Sequence, residues 1–206
     1  MKLDYKKTFL IGLAFFSASM VWPMYNTYVP VFLEKYISST LIIGIIMTFD
    51  NIFAVVFQPI FGTLSDKVNT RYGRRMPFLL IGVPLGAIFF SLIPFEFNLA
   101  SLMVFVILMN FSMSIFRAPA VALMPDLTPA PLRSKANGVI NLMGGIAAVI
   151  AFGAGGILYK IDKHYPFFMG SIIMIVAVIL LYTFVKEPRN INVESKSEKE
   201  YTEVKD

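Results

Sequence analysis

Six long apolar runs, near residues 8–33, 41–64, 77–94, 99–124, 136–158 and 166–185, leave this chain few ways to fold. Each matches the roughly 20 residues that a helix needs to cross about 30 Å of hydrocarbon. A membrane barrel would show alternation with a period of two, and these runs are continuous. With 57% of the 206 residues hydrophobic and only 15% charged, lipid is the expected solvent. The pattern predicts an all-α membrane protein with a six-helix transmembrane domain over 1–185 and a charged tail or linker over 186–206.

Several function classes drop out on composition. There is no cysteine, which removes disulfides, thiolate metal sites and cysteine nucleophiles. His164 is the single histidine and falls in a short loop, so neither a hydrolytic triad nor a histidine metal cluster can be assembled. Glycines 153, 155 and 156 end a span and lack the strand of a nucleotide-binding fingerprint. No catalytic residue, metal site or cofactor is expected. A net charge of +5 raises nucleic acid as a partner, but the bases flank apolar spans and do not form a basic face, so none is expected. The first run is too long for a signal-peptide core and is read as a retained helix.

Orientation follows from the bases. The amino end, the 65–76 link, the 125–135 link and the tail hold 14 of the 18 Lys and Arg residues, while the opposite links hold Lys35, Lys160 and Lys163. Because cytoplasmic loops carry the excess, both termini are expected in the cytoplasm, with the chain in the cytoplasmic (plasma) membrane. The eighteenth base, Arg117, belongs to no loop.

Within the spans, Pro23 and Pro30 mark the first as a helix lining a cavity, since lipid tolerates proline only where neighbours satisfy the freed carbonyls. Trp22, Tyr25 and Tyr28 fit either an interfacial belt or plain packing. In the fifth span Gly144, Ala147, Ala148, Ala151, Ala154 and Gly155 recur at spacings of three and four, which predicts burial between helices. The sixth span is apolar all round and is expected at the periphery. A faint echo links GTLSDKVNTRYGRRMPFLLIG (62–82) with GGILYKIDKHYPFFMG (155–170): each ends a span at G-x-L and restarts at P-F, as an inverted three-plus-three repeat requires.

The stretch FGTLSDKVNTRYGRRMPF (61–78) sets four bases and one acid between two spans. Orientation alone would accept any bases in any order. Here Gly62 would permit close helix approach, Asp66 could accept charge-assisted hydrogen bonds, and Arg74 and Arg75 are forked donors. With Asp126 at the same end of the fourth span, these residues suggest an ionic latch that holds one conformation shut.

Gly62, Leu64, Asp66, Lys67, Gly73, Arg74 and Arg75 match the G-x-L-x-D-R/K-x-G-R-R/K motif, interrupted by VNTR, and the chain thereby resembles the major facilitator superfamily. QPIFGTLSDK, RRMPF and RAPAVALMPDLTPAPLRSKANG (117–138) are similar to plant sucrose transporters and to the bacterial glycoside-pentoside-hexuronide symporters. The resemblance covers the amino-terminal half of such a transporter. It implies one half of a major facilitator fold, transport of a small solute such as a sugar with a proton or Na+, and a cytoplasmic gate of Gly62, Asp66, Lys67, Gly73, Arg74, Arg75 and Asp126.

Two charges lie inside spans, where a central Asp or Arg costs about 2.5–3.5 kcal/mol on insertion scales. Arg117 shares a stripe about 60° wide with Asn110 and Ser114. It is expected to bind sugar hydroxyls or a carboxylate, as the matching arginine is thought to do in sucrose transporters, or alternatively to pair with Asp50 or Asp126. Asp50 lies about ten residues into the second span. A low dielectric disfavours an ionised carboxyl, which suits a proton carrier; a local contact with Asn51 or a neighbouring hydroxyl is the plainer reading. Gln58 and Asn26 are further sugar-facing candidates, and Asn137 and Asn141 would either join them or bridge helices. The acid that sucrose transporters carry three turns before this arginine is replaced by Val106, and the second-span acids of the melibiose permease pattern are Ala54 and Gln58. Since six spans give one wall of a cavity, a homodimer or a separate carboxy-terminal half is expected as partner. The alternative is a truncated or non-transporting protein, such as a regulator or sensor.

Overall fold

The computed structural model describes residues 3–185 and Glu187, so the expected tail beyond them lies outside the described residues. Seven α-helices build six spans: α1 (Tyr5–Glu34), α2 (Thr40–Met47), α3 (Phe49–Lys67), α4 (Met76–Leu92), α5 (Leu99–Leu127), α6 (Arg133–Ile161) and α7 (Tyr165–Phe184). All six spans are long and apolar enough to cross a bilayer, and no strand occurs among the described residues. The all-α, six-span architecture expected of one half of a major facilitator fold is what forms.

Helix starts follow local chemistry. Asp4 accepts the backbone N–H of Lys7 (3.1 Å) to begin α1, and Asn98 with Ser101 closes a reciprocal capping box at α5. The second span is not one helix. Thr48 interrupts it between α2 and α3, and its hydroxyl donates back to the Ile45 carbonyl, competing with the helical ladder. Asp50 therefore stands in the first turn of α3 and not in mid-helix.

The packing repeats itself. As α3 packs on α5, so α6 packs on α1; as α4 packs on α5, so α7 packs on α1; α4 also meets α7, and α1 meets α5. That is the pairing an inverted three-plus-three repeat produces. Gly82 sets the α4–α5 crossing: a Cβ there would lie 2.9 Å from the Phe116 Cβ and 3.1 Å from the Ser112 carbonyl oxygen, so only glycine allows the approach. Phe90 and Phe167, with ring centroids 4.9 Å apart, fill the centre beside Phe32 and Tyr28. Tyr25 and Tyr28 are buried, which makes them packing residues and not an interfacial belt.

Two expectations about the spans need correction. The fifth span is not buried between helices: less of α6 is covered than of α7. Its small residues form two sets, one (Gly144, Ala147, Ala151, Gly155) against α1 and another (Gly138, Gly145, Gly153, Gly156) open. The sixth span is peripheral on one side only. Phe167, Gly170, Met174 and Leu181 of α7 are buried, while Ile172, Val176 and Ile179 face outward.

Candidate functional site

At one end of the bundle the link between α3 and α4 draws the expected latch together. The Arg75 guanidinium donates to Asp66, to the Ser65 hydroxyl, to the Gly62 carbonyl (3.3 Å) and to Asp126 (3.1 Å). Arg74 adds a contact of 3.2 Å to the same Asp126 oxygen. Both arginines are buried, so water competes weakly for their bonds to Asp126, Ser65 and the Gly62 carbonyl, while Asp66 keeps one side in solvent. Gly73 takes φ +110°, a left-handed conformation natural to glycine, and closes a tight turn with Thr70.

Two motif residues act differently from expectation. A Cβ at Gly62 would meet Ala118 at an ordinary 3.6 Å, so helix approach does not require glycine there; its carbonyl is what Arg75 uses. Lys67 is exposed and has no ion-pair partner within 4.0 Å among the described residues.

Glu187 was missed by sequence reasoning. No side chain caps the start of α4, and the Glu187 carboxylate fills that place by accepting the backbone N–H groups of Arg75 (2.9 Å) and Met76 (3.2 Å). The available signal was an acid just after the sixth span, on the same side as an uncapped helix start. In the sequence it reads as part of the charged segment over 186–206.

In mid-span, α1 and α5 enclose a cavity of about 140 Å³ reached by Ser19, Trp22 and Arg117. Arg117 rests over the indole of Trp22, 5.2 Å from the ring centroid, and Trp22 meets Tyr25 edge-on at 5.5 Å. Among the described residues no carboxylate lies within 4.0 Å of Arg117, and Asp126 is held by Arg74 and Arg75. The alternative of a fixed Arg117 pair is therefore not realised.

Asp50 is half-buried; its charge reaches both Arg117 and Tyr25, and its Oδ1 accepts the Asn51 backbone N–H (2.6 Å), the local contact of the plainer reading. Asn110 is buried behind the cavity, donating to the Tyr25 hydroxyl (3.2 Å) and the Val106 carbonyl (3.0 Å). Ser114 is also buried and donates to the Asn110 carbonyl (2.9 Å). Gln58 is half-buried, Asn26 is exposed, and Asn137 and Asn141 lie on the open side of α6.

Several known proteins are similar to this chain. The family model described as Major Facilitator Superfamily matches residues 11–205. A class H tetracycline resistance protein of Pasteurella multocida is 29% identical over 161 residues, 77% of this chain and 39% of its own length. A sucrose transport protein of Arabidopsis thaliana is 30% identical over 135 residues, 55% of this chain and 23% of its own length. A solved D-xylose-proton symporter superposes with a TM-score of 0.62 at 14% identity, over 95% of this chain and 52% of that one. The chain thus spans less than half the length of these curated relatives. Motif, architecture and family match agree: this chain belongs to the Major Facilitator Superfamily, a family of membrane transporters and not of enzymes.

Proposed function

We propose that this chain forms one half of a secondary active transporter that takes up a sugar or glycoside together with a proton or another cation such as Na+, by alternating access. The observation that carries the reading is Arg117, a cation in mid-span beside a cavity, unpaired among the described residues. An insertion cost of about 2.5–3.5 kcal/mol is hard to account for by packing alone. Arg117 binds the solute, with Asn26 and Gln58 as accessible polar contacts. Asn110 and Ser114 support it from behind, and Asp50 carries the coupling proton.

The latch end lies in the cytoplasm with both termini, in the plasma membrane. There Asp66, Arg74, Arg75 and Asp126, with Gly62, Lys67 and Gly73, form the gate. Transporters of this architecture place solute between two six-helix halves related by an axis along the membrane normal. The open sides of α3 and α6 are where a second half docks, either a second copy or a separate carboxy-terminal half. Six spans return the chain to its starting side, so two copies insert in parallel, as that axis demands.

Uptake of labelled sugars into proteoliposomes under a pH gradient tests the reading. The expected result is gradient-driven uptake that Asp50→Asn reduces to the level of empty liposomes. Uptake unchanged by Asp50→Asn rejects the proton role. The tetracycline resistance relative favours drug export as a second reading, and tetracycline movement without sugar uptake would establish it instead.

A further inference from the structure

We infer that the groove between α4 and α7 holds an anionic glycerophospholipid from the leaflet at the latch end, with its phosphate on Arg71 and an acyl chain laid along the two helices. Only the bilayer setting is needed, and no solute enters. The groove has two parts. Its mouth is a cleft of about 500 Å³ beside Arg71, Tyr72, Tyr182 and Glu187. Its seat is a hollow of about 280 Å³ between Ile88 and Ser91 of α4 and Ile172 and Val176 of α7.

The mouth carries one uncompensated charge. Arg71 is exposed and has no carboxylate within 4.0 Å among the described residues. It stands over the Tyr72 ring, 4.5 Å from the centroid, and donates to the Tyr72 hydroxyl, while Tyr72 meets Tyr182 edge-on at 5.9 Å. The guanidinium is thus placed with most of its fork open, as a phosphate requires. Glu187 does not compete for it, because its carboxylate is buried and accepts the Arg75 and Met76 N–H groups. Tyrosine at the end of a span also marks headgroup depth.

The seat suits hydrocarbon. Ser171 donates to the Ala87 carbonyl (2.7 Å) and Ser91 to the Ile88 carbonyl (2.7 Å), so both hydroxyls are spent within the helices, and Ile88, Ile172 and Val176 are exposed. Thr183 stands eleven positions after Ile172, and Ala87 eleven after Met76. Eleven residues make about three helical turns, which puts mouth and seat on one side of each helix and about 16 Å apart. That reach is close to half of a hydrocarbon core about 30 Å thick, the depth of one acyl chain. Basic pockets between helices at a span end are where anionic headgroups settle.

The test releases the full chain from nanodiscs made of equal parts palmitoyl-oleoyl phosphatidylglycerol and palmitoyl-oleoyl phosphatidylcholine and identifies the retained lipid by native mass spectrometry. The expected result is a single retained phosphatidylglycerol, favoured over phosphatidylcholine about fivefold, the margin of one basic residue at an anionic surface. Arg71→Gln should bring the two lipids level, and Ser91→Phe, which fills the seat, should lower retention of both. Lys135→Gln, which removes an exposed base at the start of α6, should change nothing. Because any variant could misfold, the comparison of the two lipids on the unmodified chain decides by itself.

Equal retention of the two lipids, a preference for phosphatidylcholine, or no retained lipid overturns the inference. So does a preference that survives in folded Arg71→Gln, or one that Lys135→Gln lowers equally, since that would be the diffuse attraction of every base at this end. Retention left intact by folded Ser91→Phe takes the acyl chain out of the groove and overturns it too. Displacement by excess sn-glycerol 3-phosphate, a headgroup without chains, would reveal a site for soluble phosphate in place of a lipid.

Discussion

At the latch end a buried cation gathers acceptors: Arg75 divides its guanidinium among Asp66, Asp126, Ser65 and the Gly62 carbonyl. At the opposite end a buried anion gathers cations: Glu96, its side chain 3% exposed, meets Lys35 at 2.6 Å and Lys163 at 3.7 Å. The two clusters occupy related places in the inverted repeat. Glu96 follows the third span and reaches the link before α7, while Glu187 follows the sixth and reaches the link before α4. What differs is the escape route. Lys35 and Lys163 are 44% and 38% exposed and can return to water, whereas the Arg75 and Asp126 side chains are 6% and 17% exposed and only Asp66 among the charged partners of Arg75 reaches solvent. The guanidinium also makes several directed bonds at once, while an ammonium acts as a point charge.

The most damaging way to break this asymmetry is Arg75→Met. It leaves Asp126 with Arg74 alone, removes the donor shared by Asp66, the Ser65 hydroxyl and the Gly62 carbonyl, and should cost about 3–5 kcal/mol, as removing one partner of a buried pair does. Thermal unfolding in detergent would measure the loss. A cost under about 1 kcal/mol would place the latch among ordinary surface pairs and remove the contrast between the ends.

Glu96→Gln should be milder, about 1 kcal/mol, because both lysines can be rehydrated and the Oε2 atom already lacks a hydrogen-bond partner among the described residues. Salt sharpens the comparison. At 1 M NaCl the Debye length falls to about 3 Å, so the Glu96→Gln difference should shrink, while the Arg75→Met difference should persist. Equal salt sensitivity at both ends would show that exposure does not set the strengths.

The legibility of the chain divides along the same physical lines. Span number and helical character could be read directly, because crossing lipid demands length and continuous apolarity. The latch residues could be brought together on paper, because Asp66, Arg74, Arg75 and Asp126 all sit at span ends on one side. Periodicity shows which residues share a face, but not what that face meets. Asn110, Ser114 and Arg117 do share a stripe, yet the first two are buried against other side chains and only Arg117 reaches a cavity. The small residues of α6 likewise gave no sign that half of them face outward. The break at Thr48 is not announced by its hydroxyl, since Thr63 and Thr183 make the same bonds to preceding carbonyls inside unbroken helices, and the Glu187 cap depends on a contact across more than a hundred residues. Neither leaves a local pattern.

The smallest effect belongs to the turns of the two related links. The link before α4 closes through Thr70 and Gly73, with the Thr70 hydroxyl donating to the Gly73 carbonyl (2.8 Å) and no ionisable group involved. The link before α7 closes through Asp162, whose Oδ1 accepts the His164 backbone N–H (2.8 Å) and meets the His164 ring at 2.5 Å. The backbone N–H first, and then the ring, hold the Asp162 carboxyl below the ordinary aspartate range. A folded-state value below the unfolded one means that this contribution is complete above the unfolded aspartate value and fades as pH falls through the folded one. Asp162→Asn should therefore lower the unfolding midpoint slightly at pH values above the ordinary aspartate range, and the gap should close as pH falls through the lowered folded-state value. Because Asp162 is exposed to solvent, only a slight gap is expected. A gap that persists at the acid end would mean that the link is held by the geometry of its turn, as the Thr70 link is, and that charge distinguishes the two ends only where it is buried.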